Sequence, residues 1–112
     1  MSVQPYELKH ARINATVDGA NTVIAAVAGS SIIVLGYGLT VNAAGVITFQ
    51  DSAGSPAVFA SFELVDSGGI SYAGTLDSPA FRVAEGNGFV ISNAAGVDTL
   101  GHVTYVLKRG RG

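Results

Sequence analysis

Hydrophobic and polar residues alternate with a period of two along most of this chain. Between residues 10 and 17 the polar positions are His10, Arg12, Asn14 and Thr16, and the apolar positions are Ala11, Ile13, Ala15 and Val17. Strict alternation of this kind is typical of a β-strand with one face buried. The pattern therefore predicts a first strand over residues 10–17, followed by a turn at Asp18-Gly19.

The densest apolar run, residues 31–51, predicts two long strands joined by a short turn. Its alternating large side chains are Ile33, Leu35, Tyr37, Leu39, Val41, Ile47 and Phe49. Residues 42–45 between them read Asn-Ala-Ala-Gly, so we expect a half-buried antiparallel hairpin. Residues 31–37 combine high β-propensity with no charge and would promote aggregation at an open edge. We therefore expect this strand at the centre of a sheet or beneath a neighbour.

Shorter strands account for the rest of the chain. They are predicted at residues 22–27, 58–64, 70–73, 80–84, 89–93 and 99–108, between turns rich in glycine and small polar residues. Asn87-Gly88 is the strongest hairpin signal among these turns. No segment shows a convincing helical period. The pattern predicts an all-β, antiparallel fold of eight or nine strands, as a sandwich or a barrel.

The 112 residues correspond to one domain. Residues 1–9 lack periodicity and contain Pro5, which predicts an extended N-terminal arm. We assign residues 10–108 to the β-sandwich domain and residues 109–112 to a short basic tail. The apolar stretch 23–39 is shorter than the roughly 20 residues of a spanning helix, is broken by Gly and Ser, and has no flanking Lys or Arg. We expect no membrane span.

Composition indicates a chain that buries surface against other subunits. Charged residues make up 12% of the chain, hydrophobic residues make up 48%, and the mean hydropathy is +0.43. Ordinary soluble domains have about 25% charged residues. Because so few charges would cover a small domain thinly, we expect an oligomer. The absence of cysteine excludes disulfides, a thiol nucleophile and thiolate metal sites.

Few residues of this chain suggest a chemistry. His10 and His102 occupy outward positions without a carboxylate at ligand spacing, which favours surface hydrogen bonding over catalysis or metal binding. Most acidic residues fall in or beside turns, where turn formation accounts for them. The sequence contains no calcium-binding loop and no nucleophile elbow, so we expect no enzymatic activity and no cofactor. The sequence does not favour a sugar site, since only Tyr6 and Tyr72 are expected to be exposed rings.

Contacts with a partner protein or with other subunits are the remaining candidates. The residues predicted to make them are Tyr6, Leu8, Gly36, Gly38, Lys108, Arg109 and Arg111. Gly36 and Gly38 share one strand face, which either leaves that face flat for another layer or marks a bulge where another backbone comes close. The C-terminal segment holds three of the six basic residues. It is open to three interpretations: a clamp on an acidic partner surface, a salt-sensitive phosphate contact, or a solvated tail.

Several segments together suggest a family. They are HARINATVDGANTVIAAVAG, SIIVLGYGLTVNAAGVITFQDSAGS, GGISYAG followed by SPAFRVAEGNGFVIS, and GHVTYVL, and they span nearly all of residues 10–107. In these strand and turn patterns the chain resembles the small head decoration (cement) proteins of tailed bacteriophages. The resemblance implies a jelly-roll-like sandwich that trimerises and binds an assembled capsid. It implies no set of functional residues.

Two functional hypotheses follow from the resemblance. In the first, a homotrimer binds the outer capsid surface of the virion, after synthesis in the host cytoplasm, and stabilises the lattice by binding it. Its partners would be itself and the major capsid protein, with no specific nucleic acid and no membrane. The alternative is a trimeric adsorption or host-glycan-binding domain of a head fibre or tail spike. That domain would use loop tips near residues 52–56 and 66–69.

Overall fold

The computed structural model describes residues 6–53 and 56–109, with side chains from residue 8 onward. This part of the chain contains nine strands and no helix. The strands are β1 (Tyr6–Ala15), β2 (Gly19–Ile24), β3 (Ser30–Val41), β4 (Gly45–Asp51), β5 (Val58–Leu64), β6 (Gly69–Tyr72), β7 (Phe81–Val83), β8 (Phe89–Asn93) and β9 (Thr99–Arg109). Each predicted strand is therefore present, with shifts of a few residues at its ends.

The strands form two antiparallel sheets that pack face to face. The five-stranded sheet has the order β1-β9-β3-β6 with β7 also paired to β3, and the four-stranded sheet has the order β2-β8-β4-β5. β6 and β7 pair with successive parts of β3, so they act as one edge strand interrupted by residues 73–80. Most consecutive strands alternate between the sheets, as in a jelly roll. The predicted antiparallel, jelly-roll-like sandwich is confirmed.

Two hairpins predicted from turn sequences are wrong in their pairing. β3 and β4 lie in different sheets, so residues 42–44 carry the chain across the sandwich. β3 is flanked instead by β9 on one side and by β6 and β7 on the other, which confirms that this uncharged strand is central. β7 and β8 also belong to different sheets, and the left-handed residue in their connection is Gly86, with φ at +83°.

A β-bulge in β3 changes which side chains face the core. Pairing with β9 shifts between Val34 and Gly36, which makes Leu35 the extra residue. Even-numbered apolar residues face the core before the bulge, and odd-numbered ones face it afterwards. Ile33 and Leu35 were expected on the core face, but they lie on the opposite face. There they form a small second cluster with Val106.

The main core is built around Phe49. This side chain is 1% exposed. Its ring centroid lies 5.1 Å from that of Tyr37, 5.2 Å from that of Phe62 and 5.3 Å from that of Phe89, each in an edge-to-face arrangement. Edge-to-face pairs place the positive ring edge against the negative face of a neighbour. Phe49 therefore joins side chains from both sheets.

A buried polar network ties β8 to the neighbouring strands. The Asn93 side chain donates from Nδ2 to the carbonyl oxygens of Ala15, at 2.9 Å, and Val17, at 3.3 Å. Its Oδ1 accepts a hydrogen bond from the Thr99 hydroxyl at 2.8 Å. Both Asn93 and Thr99 are buried. The network satisfies backbone carbonyls where the chain leaves β1.

Acidic residues in the connections stabilise turns, as the sequence predicts. Asp51 Oδ1 accepts hydrogen bonds from the backbone N–H groups of Ala53, at 3.0 Å, and Ala57, at 3.1 Å. Asp18 Oδ1 accepts one from the Gly96 N–H at 2.9 Å, which joins the connection after β1 to the one after β8. These carboxylates replace backbone partners that an irregular segment lacks.

The domain begins earlier than the sequence predicts. β1 starts at Tyr6 and pairs with β9 from Tyr6–Lys108 onward, so residues 6–9 belong to the sheet and not to an arm. At the other end β9 includes Arg109, the first residue of the predicted tail. The remaining arm and tail, residues 1–5 and 110–112, lie outside the described residues.

Candidate functional site

The solvent side of the five-stranded sheet, here called the outer face, gathers several of the predicted contact residues. Cross-strand pairing arranges its outward positions in rows. One row consists of Leu8, Val106, Ile33 and Arg82, and another consists of Arg12, His102, Gly38 and Ser71. Since β3 is central and the sheet is antiparallel, these rows cross the whole width of the sheet.

A groove runs over the part of β3 that lacks side chains. Gly36 and Gly38 form its floor, and its volume is about 340 Å³. His102 and Thr104 of β9 line one wall, and residues 71–74 line the other. The groove lies beside the interruption of the edge strand, where the chain leaves β6.

The two glycines are required for different reasons. A Cβ on Gly36 would lie 2.7 Å from the backbone oxygen of Tyr72, a contact that only a backbone shift could relieve. A Cβ on Gly38 would lie 3.0 Å from Cε1 of His102, and that ring belongs to a side chain that can move. Gly36 therefore allows the edge strand to approach closely, whereas Gly38 keeps the groove open.

A second depression lies further along β3, beyond the bulge. Ser31, Ile33, Arg82 and Lys108 line it, and its volume is about 350 Å³. Arg82 and Lys108 stand on the two strands that flank β3, so a cation borders the depression on each side. Leu35 lies between this depression and the groove. Together the depression and the groove form a channel along β3, which Leu35 interrupts.

The outer face combines apolar surface with positive charge. Leu8 is 59% exposed, while Val106 and Ile33 beside it are each 2% exposed. The cations at outward positions are Arg12, Arg82 and Lys108, and two histidines, His10 and His102, accompany them. No carboxylate occupies a described outward position of this face. Asp77 and Glu85 lie in the loops that flank β7.

The two histidines differ in their surroundings. His10 Nδ1 lies 3.1 Å from the Thr104 hydroxyl, across the β1–β9 pair, which agrees with the predicted surface hydrogen-bonding role. The His102 ring lies over Gly38, with Cε1 3.0 Å from the position that a Cβ of Gly38 would take, and it lines the groove. Neither belongs to a cluster of three or more metal-binding side chains, since the described residues contain no such cluster.

The structure brings together part of the predicted contact set. Leu8, Gly36, Gly38 and Lys108 all lie on the outer face. Arg109 pairs with Ser30. Alternation along β9 places its side chain on the face opposite to that of Lys108, so it does not belong to the outer face. The backbone of Tyr6 pairs with β9, but its side chain and all of Arg111 lie outside what the structure describes.

Sequence reasoning missed three residues of this face: Arg12, Arg82 and His102. The signal for Arg12 and His102 was their outward parity on predicted strands. No signal was available for their position opposite Gly38, because strand partners were unknown. Arg82 reaches the face through the interrupted edge strand, a feature that turn residues alone do not reveal.

The inner end of the groove is formed by a pair of tyrosines. The ring centroids of Tyr37 and Tyr72 lie 6.2 Å apart, and the Tyr72 hydroxyl donates to the backbone oxygen of Ser78 at 3.1 Å. Burial raises the pKa of the Tyr37 phenol above its ordinary value, and the nearby Tyr72 charge raises it further. Tyr37 therefore stays neutral over a wider pH range than a free phenol does.

No helix suited to crossing a membrane occurs among the described residues. Comparison with family models, with curated proteins and with solved structures finds no match for this chain. The features described above are therefore the basis for proposing what the chain does.

Proposed function

We propose that this chain is a capsid decoration protein of a tailed bacteriophage, which binds the outer surface of the head as a homotrimer and stabilises it. Two kinds of observation support the proposal. The sequence resembles such proteins over residues 10–107, and the chain folds as the jelly-roll sandwich that the resemblance implies. The chain would act by assembly, and its partners would be its own copies and the major capsid protein.

The observation that carries the proposal is the scarcity of charge on the solvent side of the four-stranded sheet, here called the neutral face. Its described outward residues are Ala20, Thr22, Val46, Thr48, Gln50, Val58, Ser61, Glu63, Val90 and Ser92. Glu63 is the one charged residue among them, and Val46 and Val58 are 42% and 60% exposed. Cores of subunit interfaces are likewise depleted in charge, so the neutral face is suited to packing against another copy.

A trimer with these features would stabilise a capsid through binding linkage. A protein that binds the assembled lattice more tightly than its dissociated parts shifts the equilibrium toward the lattice. A trimer also engages several capsid sites at once, which raises its overall affinity for the capsid without any new contact. No catalytic step is needed for this role.

Light scattering on the purified chain tests the oligomer. At micromolar concentration we expect a mass three times the 11.3 kDa of one chain. A mass equal to one chain across that concentration range would contradict the trimer. A mass of two chains would also contradict it.

Cosedimentation tests the partner. Heads of the source phage assembled without this protein should bind the purified chain saturably, and bound heads should release DNA at a higher temperature than bare heads. Binding to purified host envelopes, with none to heads, would overturn the proposal in favour of an adsorption module. Electron cryomicroscopy of the source particle would locate the density for this chain.

A further inference from the structure

We propose that the outer face binds an extended acidic segment of a partner protein, with the segment's main chain over Gly36 and Gly38 and its carboxylates against the cations that flank β3. The occupant is a peptide with several Asp or Glu residues and no bulky side chain at the centre of the groove. The proposal goes beyond the function proposed above, because it specifies the chemistry of a binding segment and holds for any protein that supplies it.

Charge complementarity is the first argument. Arg82 and Lys108 border the depression at one end of the channel, and Arg12 stands beside His102 at the other. The chain as a whole has a formal net charge of −2, so the positive charge of this face is offset by an excess of acidic residues elsewhere in the chain. A positive patch of this kind attracts acidic partners and fixes their register.

Shape is the second argument. Gly36 and Gly38 add no side chain to the groove floor, so a peptide backbone can approach β3 once the movable His102 ring turns away from Gly38. From Ser31 to Gly38 the channel follows eight residues of strand, and the seven steps between them correspond to about 20 Å at the usual rise of a strand. An extended peptide of about six residues covers the same length. Beside the depression, in the row of Val106 and Ile33, Leu8 offers exposed apolar surface to a segment that carries an aliphatic residue.

The same features disfavour nucleic acid as the occupant. Duplex DNA carries one negative charge per about 1.7 Å of axis, so about 20 Å of duplex presents on the order of ten phosphates. The outer face has only three permanent cations at its described outward positions, Arg12, Arg82 and Lys108. Single strands are usually held by stacking on several exposed aromatic rings. Where side chains are described, the outward strand positions of this face carry no aromatic residue, and the groove offers one partly exposed ring, Tyr72, whose hydroxyl is bonded to Ser78. A short acidic peptide matches the number of cations better.

The test is a titration of the ¹⁵N-labelled chain with an N-acetylated hexaglutamate peptide, followed by amide chemical shifts. We expect perturbations at β3 and β9 amides around both depressions, and an affinity that falls as salt rises. Hexalysine at the same ionic strength should leave these amides unchanged. Perturbations confined to the neutral face, or equal effects of both peptides, would overturn the proposal.

Variants separate the outer face from a general charge effect. The triple variant Arg12→Gln, Arg82→Gln, Lys108→Gln should weaken hexaglutamate binding by about tenfold or more, since each exposed charge contact contributes modestly. Arg109→Gln is the matched control, because it removes a cation of β9 at the opposite parity, and it should change the affinity by less than about twofold. Equal losses in the two proteins would contradict a specific face.

Two further measurements complete the test. Gly38→Val keeps every charge but fills the groove beside His102, and it should also weaken binding by about tenfold or more. An unchanged affinity would exclude the groove as the binding position. A thymidine hexanucleotide that binds more tightly than hexaglutamate, at the same amides, would overturn the peptide in favour of single-stranded nucleic acid.

Discussion

At the scale of single residues, the buried amide of Asn93 is the clearest determinant of stability. It begins an Asn-Ala-Ala-Gly-Val sequence that also occurs at residues 42–46. The two asparagines nevertheless have different environments. Asn93 is buried and bonded to Ala15 and Thr99, whereas Asn42 is exposed and accepts a hydrogen bond from the Asp98 N–H at 2.7 Å. The same five-residue sequence therefore contributes differently to the stability of the fold at its two positions.

This pair supports a prediction about stability. Asn93→Ala leaves the Ala15 carbonyl and the Thr99 hydroxyl buried without their partners, and each such group costs about 1–3 kcal/mol. We expect the free energy of unfolding to fall by roughly 2–4 kcal/mol. Asn42→Ala, the matched control, should cost about 1 kcal/mol or less, because water can replace its bonds. Urea denaturation measures both, and equal losses would show that burial does not distinguish them.

Tyr37 makes stability depend on pH in the alkaline range. The folded-state pKa of its phenol lies above the ordinary value of 10.0. Burial disfavours the phenolate, which is the larger cause, and electrostatic repulsion from Tyr72 adds to it. The folded chain therefore retains this proton where the unfolded chain releases it. The resulting stabilisation is fully present below pH 10 and is lost as pH rises through the folded-state pKa.

The corresponding prediction concerns the variant Tyr37→Phe. Above about pH 10, the unfolding temperature of the wild-type chain should fall more steeply with pH than that of the variant, which lacks the titrating group. Ultraviolet absorbance of the phenolate should show one fewer tyrosine that titrates late in the folded variant. Parallel pH profiles for the two proteins would mean that Tyr37 is not responsible.

At the scale of elements, β3 shows how far strand patterns can be used. Alternation identified the strand, and the absence of charge predicted its central position, both of which the sheet order confirms. The two glycines indicated a bulge as one alternative, but the reversal of parity at Leu35 was not foreseeable, because one inserted residue leaves the sequence equally apolar. As a result Ile33 and Leu35 were placed on the core face although they help form the outer one.

The glycines of β3 give a prediction for this element. Gly36→Ala places a methyl group against the Tyr72 backbone oxygen, so β6 must shift, and we expect a loss of about 1–3 kcal/mol. Gly38→Ala meets only the movable ring of His102 and should cost less than about 1 kcal/mol, since alanine also restricts the unfolded chain. Denaturant midpoints with unchanged slopes would support this order. The reverse order would contradict the assigned contacts.

At the scale of the whole molecule, the path of the chain between the two sheets was the feature hardest to predict from the sequence. Turn residues marked where strands end but not which sheet the next strand joins. Asn87-Gly88 is a strong hairpin sequence, yet Gly88 packs against the backbone of Ile24 in a connection between sheets. Long-range pairing decides the path: β1 pairs with β9, from the opposite end of the chain. Four members of the outer face were predicted, Leu8, Gly36, Gly38 and Lys108, but not its full set of cations, since these come from three separate strands.

The final prediction concerns the neutral face and follows from the trimer proposed above. Thr48 lies at its centre on β4, with its hydroxyl 3.1 Å from that of Ser61. An arginine at this position would be buried without a partner in a subunit contact, a situation that costs several kcal/mol. Thr48→Arg should therefore reduce the light-scattering mass from three chains to one, while the chain remains folded because the lost hydroxyl bond contributes only about 1 kcal/mol.

Thr40→Arg is the matched control for this substitution. Thr40 is an exposed threonine on β3, the central strand of the opposite sheet, and it points to the outer face. The trimer should therefore tolerate an arginine there. The two substitutions add the same charge to the same residue type on opposite faces of the sandwich. Dissociation by Thr40→Arg with retention of the trimer in Thr48→Arg would assign the subunit contact to the outer face, and the neutral face would then be free to meet the capsid.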